Sequence, residues 1–458
     1  MAQIAAWLKN SGGEVSGSDE GVYPPMSDFL RSRGIEIRSP YRAENVPSVD
    51  TAVIGNALSR NNPEVEAVLE KRIPFVSLPE LIHSQILQSK LPIVVAGTHG
   101  KTTTSAILAH ILLQAGFSPG YMIGGLPMGW SSGFEAGSGR WFVIEGDEYD
   151  SAFFDKRPKF LHYQPQVVVL NNVEFDHADI YSSLEEIYTQ FARLVQLIPR
   201  NGCLLVNADE PGLEGFPERA PCPAITFGTN AEADVRGEIT EITSEGMEIR
   251  LGFASGRELV CTAPLWGDHQ LSNLLSAAAA AEFTGVPPEK IAAAIATFPG
   301  IRRRMELKYS DGHRWIYDDF AHHPTAIKAV LTSLKKRHPE IQIVAVLEPR
   351  SNTMVRNFFQ DEIVEALQPA DRVIIGSIHR RDGIPPDERL NVDRVIERLR
   401  LGGKEAFYEE DIDEIVALLQ KKTPRDAVIV MLSNGAFSGL MGKLLASRSS
   451  LLEVNKSR

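Results

Sequence analysis

Cysteine is scarce in this chain: of 458 residues only 3 are cysteines, Cys203, Cys222 and Cys261, and none has metal-ligand spacing to another. That excludes a disulfide framework and a cysteine zinc site, and it fits a reducing cytoplasm. Basic charge is also short, with 47 Lys and Arg against 59 Asp and Glu and a net charge of -12. A dedicated nucleic-acid binder needs a basic surface, so that class is disfavoured. No apolar run approaches the roughly 18 residues of a membrane span. The amino terminus "MAQIAAWLKN" has no basic region followed by a long apolar core, so nothing marks export. The expectation is a cytoplasmic protein with no membrane span and no obligate protein partner. Internal repeats and low-complexity tracts are absent as well.

One further absence is specific. The stretch "LPIVVAGTHGKTTT" at 91–104 resembles a phosphate-binding loop but fails the common G-x-x-x-x-G-K-S/T pattern, because Val95 stands where the first glycine belongs. Only Gly97 and Gly100 precede Lys101. What remains is an apolar strand, a tight turn with two glycines, and a lysine and threonines opening the helix "TTTSAILAHILLQAG". Backbone N–H groups at a helix start, with the helix dipole behind them, attract anions, and glycines let a phosphate approach the backbone. Lys101 supplies a charge for the β- and γ-phosphates, and the Thr102 hydroxyl can ligate magnesium. The plainer alternative is a glycine-containing turn between strand and helix.

Apolar residues make up 43% and charged residues 23%, the composition of an ordinary globular protein. At about 150 residues per domain the length corresponds to roughly three domains. Buried-strand runs recur between helical stretches: "TAVIGNA", "PIVVAG", "WFVIEGDE", "QVVVLNN", "IQIVAVLEP", "DRVIIGS" and "DAVIVMLSNG". Strands spaced by helices predict covered, parallel α/β sheets. The boundaries read as 1–89, 90–300 and 301–458. Residues 224–262 are short, alternating and turn-rich, and predict antiparallel strands inserted into the middle domain.

Acids at the carboxyl ends of strands complete a nucleotide site in open parallel sheets. After "WFVI" come Glu145, Asp147 and Glu148; after "VVVL" come Asp176 and His177. A carboxylate, an imidazole and a threonine hydroxyl can hold magnesium around a transferring phosphoryl group. Glu145 also reads as a solvated loop acid, and His177 as a histidine with only local hydrogen bonds. Further on, "YDDFAHHPTAI" follows Arg302, Arg303 and Arg304; its two aspartates and two histidines can contact ribose or phosphate, and arginine forks suit phosphate. Those arginines also read as a charged linker. In "VLEPRSNTM", Arg350 follows a buried strand, where it can grip a substrate carboxylate or make a surface salt bridge.

Together these residues resemble the Mur ligase family, ATP-dependent enzymes that build the peptide of bacterial cell-wall precursors. Its short loop, G-T-x-G-K-T-T, is matched by Gly97, Thr98, Gly100, Lys101, Thr102 and Thr103, with His99 at the variable place. The resemblance implies three α/β domains: a truncated Rossmann-like N-terminal domain for the UDP-sugar, a central P-loop ATPase-like domain, and a C-terminal Rossmann-like domain for the amine. It implies catalytic roles for Lys101, Glu145 and His177, and Mg2+ ligation by Thr102, Glu145 and His177. Asn273, in "GDHQLSNLLSAAAAA", matches an adenine contact; Arg304 and Asp319 match residues that reach the nucleotide from the third domain. His322, Arg350, Ser351 and Asn352 are implied as substrate contacts.

Within the family, "VYPPM" at 22–26, "VEFDHADIY" at 173–181, "YDDFAHHPTAI" and above all "LEPRSNTM" resemble the recycling branch more than the branch that adds L-alanine. The alanine-adding branch has a Pro-His-Arg-type sequence where this chain has Glu348, Pro349, Arg350, Ser351 and Asn352. The implied reaction joins UDP-N-acetylmuramate to the murein tripeptide L-alanyl-γ-D-glutamyl-meso-diaminopimelate, with ATP activating the acid through an acyl phosphate. Some branches carry a carbamylated lysine where this chain has Ala192, with Gln190 nearby; its absence agrees with branches that use UDP-N-acetylmuramate itself. One departure concerns the amino end. The family begins with a strand and a glycine-rich loop for the UDP diphosphate, which would precede Met1, and the expectation is a start codon assigned too late. Rival readings are UDP-N-acetylmuramate:L-alanine ligation, addition of glutamate to folate, and a non-catalytic UDP-sugar or nucleotide binder. A simple P-loop kinase or switch GTPase is disfavoured by the short loop and the three α/β units.

Overall fold

The protein is described from a computed structural model, which covers residues 1–22, 26–178, 180–379 and 383–447. Tyr23, Pro24 and Pro25 of "VYPPM" and Asp179 of "VEFDHADIY" lie outside the described residues. The three α/β units expected from the strand runs are present, each built on its own parallel pairing.

The central unit carries a 10-stranded sheet. Its middle is parallel, with Leu91–Ala96 between Val167–Leu170 and Trp141–Gly146. Up to Ile144 and through Ala96 and Leu170 these runs are apolar because both faces are covered, and Glu145 breaks the pattern only at the carboxyl end of its strand. Period-two alternation sends Ile93 and Val95 to one face, where they meet Ile107 and Ile111 of the helix Lys101–Gln114. Val94 and Ala96 point the other way, onto Phe191 of the helix Leu184–Gln196 and onto Ile4 and Ile82 of the amino-terminal unit. The first unit is therefore docked through a shared core onto the back of the nucleotide-loop strand.

Residues 224–262 correct the sequence reading in part. Ala224–Gly228 pairs parallel to Cys203–Asn207, and Val235–Ile242 starts parallel to it. Only Met247–Gly252 and Glu258–Ala263 continue antiparallel. They extend the same sheet at its edge. Alternating hydrophobicity reports that a strand has one wet face; it carries no information on strand direction.

In the amino-terminal unit, Ser16–Ser18 pairs with Glu36–Arg38 and Ala52–Ile54 with Phe75–Ser77, both parallel. The two pairs form separate sheets among the described residues. The third unit has a 6-stranded sheet ordered Glu306–Ser310, Arg314–Asp319, Ala427–Leu432, Gln342–Leu347, Arg372–Ile375 and Glu405–Tyr408, antiparallel only at the first pair. Helices cover both faces, so this unit is doubly wound. Among the described residues no helix is long and apolar enough to cross a membrane.

Candidate active site

The loop after Leu91–Ala96 bends where glycine is required. Gly97 has φ 132°, and a Cβ there would meet the Asn172 backbone oxygen at 2.9 Å; Gly100 has φ 82° and begins the helix. No side chain caps that helix start, so the first-turn amides point into the loop without intrahelical acceptors. The loop is pinned to the next strand's end: Thr98 N–H donates to Asn172 O (3.2 Å) and His99 N–H to Asn172 Oδ1 (2.8 Å). The Thr98 hydroxyl donates to Glu174 O at 3.2 Å and accepts its N–H at 2.9 Å.

Lys101 folds back over this turn. Its ammonium donates to Gly97 O at 2.6 Å and to both carboxylate oxygens of Glu148, at 2.9 and 3.1 Å. Burial alone would lower its pKa, but Glu148, with Asp147 and Glu145 nearby, outweighs burial and holds the value above the ordinary one. Glu148 also meets His177 Nε2 at 3.0 Å. Burial again opposes charge on that imidazole, while Glu148 and Asp176 raise its pKa overall. His177 has φ 57°, and its ring leans on Tyr149 at 4.1 Å between centroids.

Glu145 belongs to a second pair. It accepts the Thr102 hydroxyl at 3.0 Å and the Gly124 N–H at 2.6 Å, and burial pushes its pKa up against those bonds and the charges of Lys101 and Arg304. Of the three residues implied as metal ligands, Thr102 and Glu145 are thus joined directly, whereas His177 is joined to Glu148. Glu148 was not singled out among the site residues. It stands in "EGDEYD" beside Glu145, and spacing alone does not say which acid faces the lysine. Hydroxyl and carboxylate oxygens suit a hard cation such as magnesium, so the Thr102–Glu145 pair fits that ion.

Thr103 is buried in the helix's first turn, and Asn273 lies beneath the loop rather than beside it. Asn273 Oδ1 accepts the Thr104 hydroxyl at 3.3 Å, and a Cβ on Gly100 would collide with Asn273. From the third unit, Asp319 accepts the amides of Met305 (2.6 Å) and Ala321 (2.7 Å), and burial raises its pKa despite Arg304. The Arg304 guanidinium lies 5.0 Å from the Phe320 ring centroid, with no hydrogen-bond or ion-pair partner among the described residues. It is close enough to Glu145 and Asp319 to influence both. Arg303 instead bonds Ser433 O and Gly435 O at 2.5 and 2.6 Å, so this part of the arginine run is structural.

The third unit closes directly on the middle one. Thr353 Oγ1 donates to Asp176 Oδ1 at 2.9 Å, Thr325 Oγ1 to Glu174 Oε2 at 2.7 Å, and Lys336 pairs with Asp268 at 2.6 Å. A cleft of about 450 Å³ lies on this seam, where His322, Arg350, Ser351 and Asn352 of the third unit face His177 and Tyr149 of the middle unit. His322 Nδ1 donates to Phe320 O (2.9 Å), and burial pushes its pKa down to about 4. Arg350 is anchored at 3.5 Å by the buried Glu348, which itself accepts the Ser433 hydroxyl. The four residues implied as substrate contacts therefore line one cavity.

Models of the Mur ligase family catalytic domain, the Mur ligase middle domain and the Mur ligase glutamate ligase domain match residues 1–90, 95–281 and 303–434. Over 453 residues the chain is 39% identical to a protein of Escherichia coli (strain K12) named UDP-N-acetylmuramate--L-alanyl-gamma-D-glutamyl-meso-2,6-diaminoheptandioate ligase, covering 97% of this chain and 95% of that protein. It is 33% identical over 437 residues to a UDP-N-acetylmuramate--L-alanine ligase of Rubrobacter xylanophilus, covering 94% of each. Among solved structures, a murein peptide ligase from Psychrobacter arcticus 273-4 matches with a TM-score of 0.73 and 33% identity, over 97% of this chain and 96% of that one.

Proposed function

The chain belongs to the Mur ligase family of ATP-dependent, amide-bond-forming enzymes, and from that premise we propose that it joins UDP-N-acetylmuramate to the tripeptide L-alanyl-γ-D-glutamyl-meso-diaminopimelate, releasing ADP and phosphate. A carboxylate repels an attacking amine's electrons, so the lactyl acid must first be activated. Its oxygen attacks the γ-phosphorus of ATP, the bond to the β-phosphate oxygen breaks, and an acyl phosphate forms. The tripeptide's α-amine then attacks the acyl carbon, loses a proton and expels phosphate. Lys101 and the first-turn amides of its helix balance charge as it moves toward the leaving oxygen. When nucleotide enters, Lys101 exchanges the carbonyls of Gly97 and Thr98 for phosphate oxygens while Glu148 keeps it aimed.

Thr102 and Glu145, with His177, would hold magnesium, which would supply further charge neutralisation. Arg304, without a hydrogen-bond or ion-pair partner among the described residues, would meet the nucleotide from the third unit. Closure of that unit keeps water from the acyl phosphate, because Thr353 and Thr325 bind the segment that carries His177.

The observation that carries this reading is the seam cleft, where a group able to clamp carboxylates, Arg350, faces His177 across a space of about 450 Å³. That volume is of the size that takes a peptide and is far more than an alanine fills. The test is ADP release with UDP-N-acetylmuramate and purified amines offered in turn. Release that needs both the sugar nucleotide and the tripeptide supports the proposal. Faster turnover with L-alanine overturns it in favour of the alanine-adding reaction.

A further inference from the structure

Glu174, which anchors Thr325 in the closed seam, converges there with His99 and His323, and none of the three side chains carries a step of the transfer above. We propose that these three residues form a binding site for a borderline divalent cation of the zinc class, one that ties the third unit to the nucleotide loop in the closed arrangement. His99 Nε2 lies 3.6 Å from Glu174 Oε2, His323 Nδ1 lies 3.7 Å from the same oxygen, and the three ligand atoms all fall within 4.8 Å of one another. Tetrahedral ligands held about 2.0–2.1 Å from zinc stand roughly 3.4 Å apart, so each histidine–carboxylate separation needs to contract by only a few tenths of an ångström, and the two imidazoles, which lie within 4.8 Å of each other, must draw together by at most about 1.4 Å.

These separations are too long for hydrogen bonds. His99 Nε2 is buried and has no hydrogen-bond partner among the described residues. An orphaned imidazole nitrogen beside a carboxylate is costly in a purely structural seam and is what a metal would satisfy. His323 supplies the second requirement. Its Nε2 is 3.4 Å from Phe175 O, so a proton placed there donates to that carbonyl and leaves the Nδ1 lone pair for a cation. Thr325 N–H approaches the same Nδ1 at 3.3 Å as the cap of its helix, so a cation there would replace that contact. The Thr325 hydroxyl, 2.7 Å from Glu174 Oε2, orients the carboxylate as an outer-shell partner does.

Two imidazoles and one carboxylate, with a fourth position left for water, suit zinc or cobalt rather than magnesium, which prefers oxygen and keeps its waters. None of the three is a residue assigned to magnesium above. His99 and Glu174 belong to the middle unit and His323 opens the helix Pro324–Arg337 of the third, so a bound cation fastens the seam. Closure also assembles the nucleotide site, and linkage then requires that ATP tighten the cation and the cation tighten ATP by the same factor.

The experiment uses the full chain, stripped with chelator and titrated with zinc chloride by calorimetry in millimolar magnesium, and with cobalt(II) chloride by visible absorption. One cation per chain, tetrahedral cobalt bands and a raised Tm are expected. His323→Gln and Glu174→Gln, verified as folded by circular dichroism, should each weaken zinc at least about 100-fold, and His177→Ala should leave it unchanged. Unchanged affinity in both seam variants, loss in His177→Ala, or displacement by magnesium would overturn the site.

Discussion

Lys101 and Glu148 form a two-pronged ion pair, 2.9 and 3.1 Å, in which the lysine side chain is 16% exposed and the glutamate 3%. The pair keeps the Lys101 ammonium charged over the glycine turn while His177 shares the same carboxylate. Lys101→Ala should lower the rate of ADP release at least about 100-fold. It also strands a buried carboxylate, so Tm should fall by the equivalent of a few kcal/mol. Adding Glu148→Gln should restore the Tm but not the rate. A double variant that stays as unstable as Lys101→Ala would contradict the pairing, and near-normal turnover would remove the lysine from the mechanism.

Gly100 holds a left-handed φ at the helix start, packed against Asn273 and Asn171. Gly100→Ala should cost about 1–3 kcal/mol in backbone strain, and the displaced turn should weaken ATP more than tenfold, as read by equilibrium binding of a non-hydrolysable analogue. Retained nucleotide affinity would mean that the turn tolerates the Cβ and that its shape matters less than the lysine.

On the proposed reading, Arg350 would grip the peptide rather than the nucleotide. Losing a charge-assisted hydrogen bond to a carboxylate costs about 1.5–3 kcal/mol, so Arg350→Ala should raise the KM for tripeptide by about 10- to 100-fold with the KM for ATP little changed. Steady-state kinetics with each substrate varied in turn separates the two. An unaltered tripeptide KM would refute the clamp.

His323 is only 5% exposed, and burial pushes its pKa down to about 4, against about 6.5 in an unfolded chain. The unfolded state therefore takes up a proton first. Stability from this group is fully present above about pH 6.5 and is lost as pH falls toward 4, by up to about 3 kcal/mol. In chelator, the Tm of the wild type should drop faster between pH 7 and 5 than that of His323→Gln. Parallel curves would show that the imidazole is not held neutral by the seam.

The sequence makes the fold readable wherever burial leaves a run. "PIVVAG", "QVVVLNN" and "DAVIVMLSNG" are strands because both faces of a parallel sheet are dry, and the loop after Ala96 is legible because glycine and lysine have few other reasons to sit there. Strand direction at 224–234 was not legible, since hydrophobic period does not encode it. Glu148 was hidden beside Glu145 for a related reason. Past the end of a strand, which acid turns toward Lys101 depends on the backbone path. The His99, Glu174 and His323 cluster was less accessible still, because it exists only once two units meet.

Arg337 of the third unit stacks on Trp266 of the middle one, with Cζ 3.4 Å from the ring centroid, and Trp266 Nε1 donates to Thr243 O at 3.1 Å. An indole fixed on one body and covered by a cation from the other changes its surroundings whenever the two separate. With the other four of the 5 tryptophans replaced, the emission of Trp266 would therefore register a parting of the two units without any attached dye.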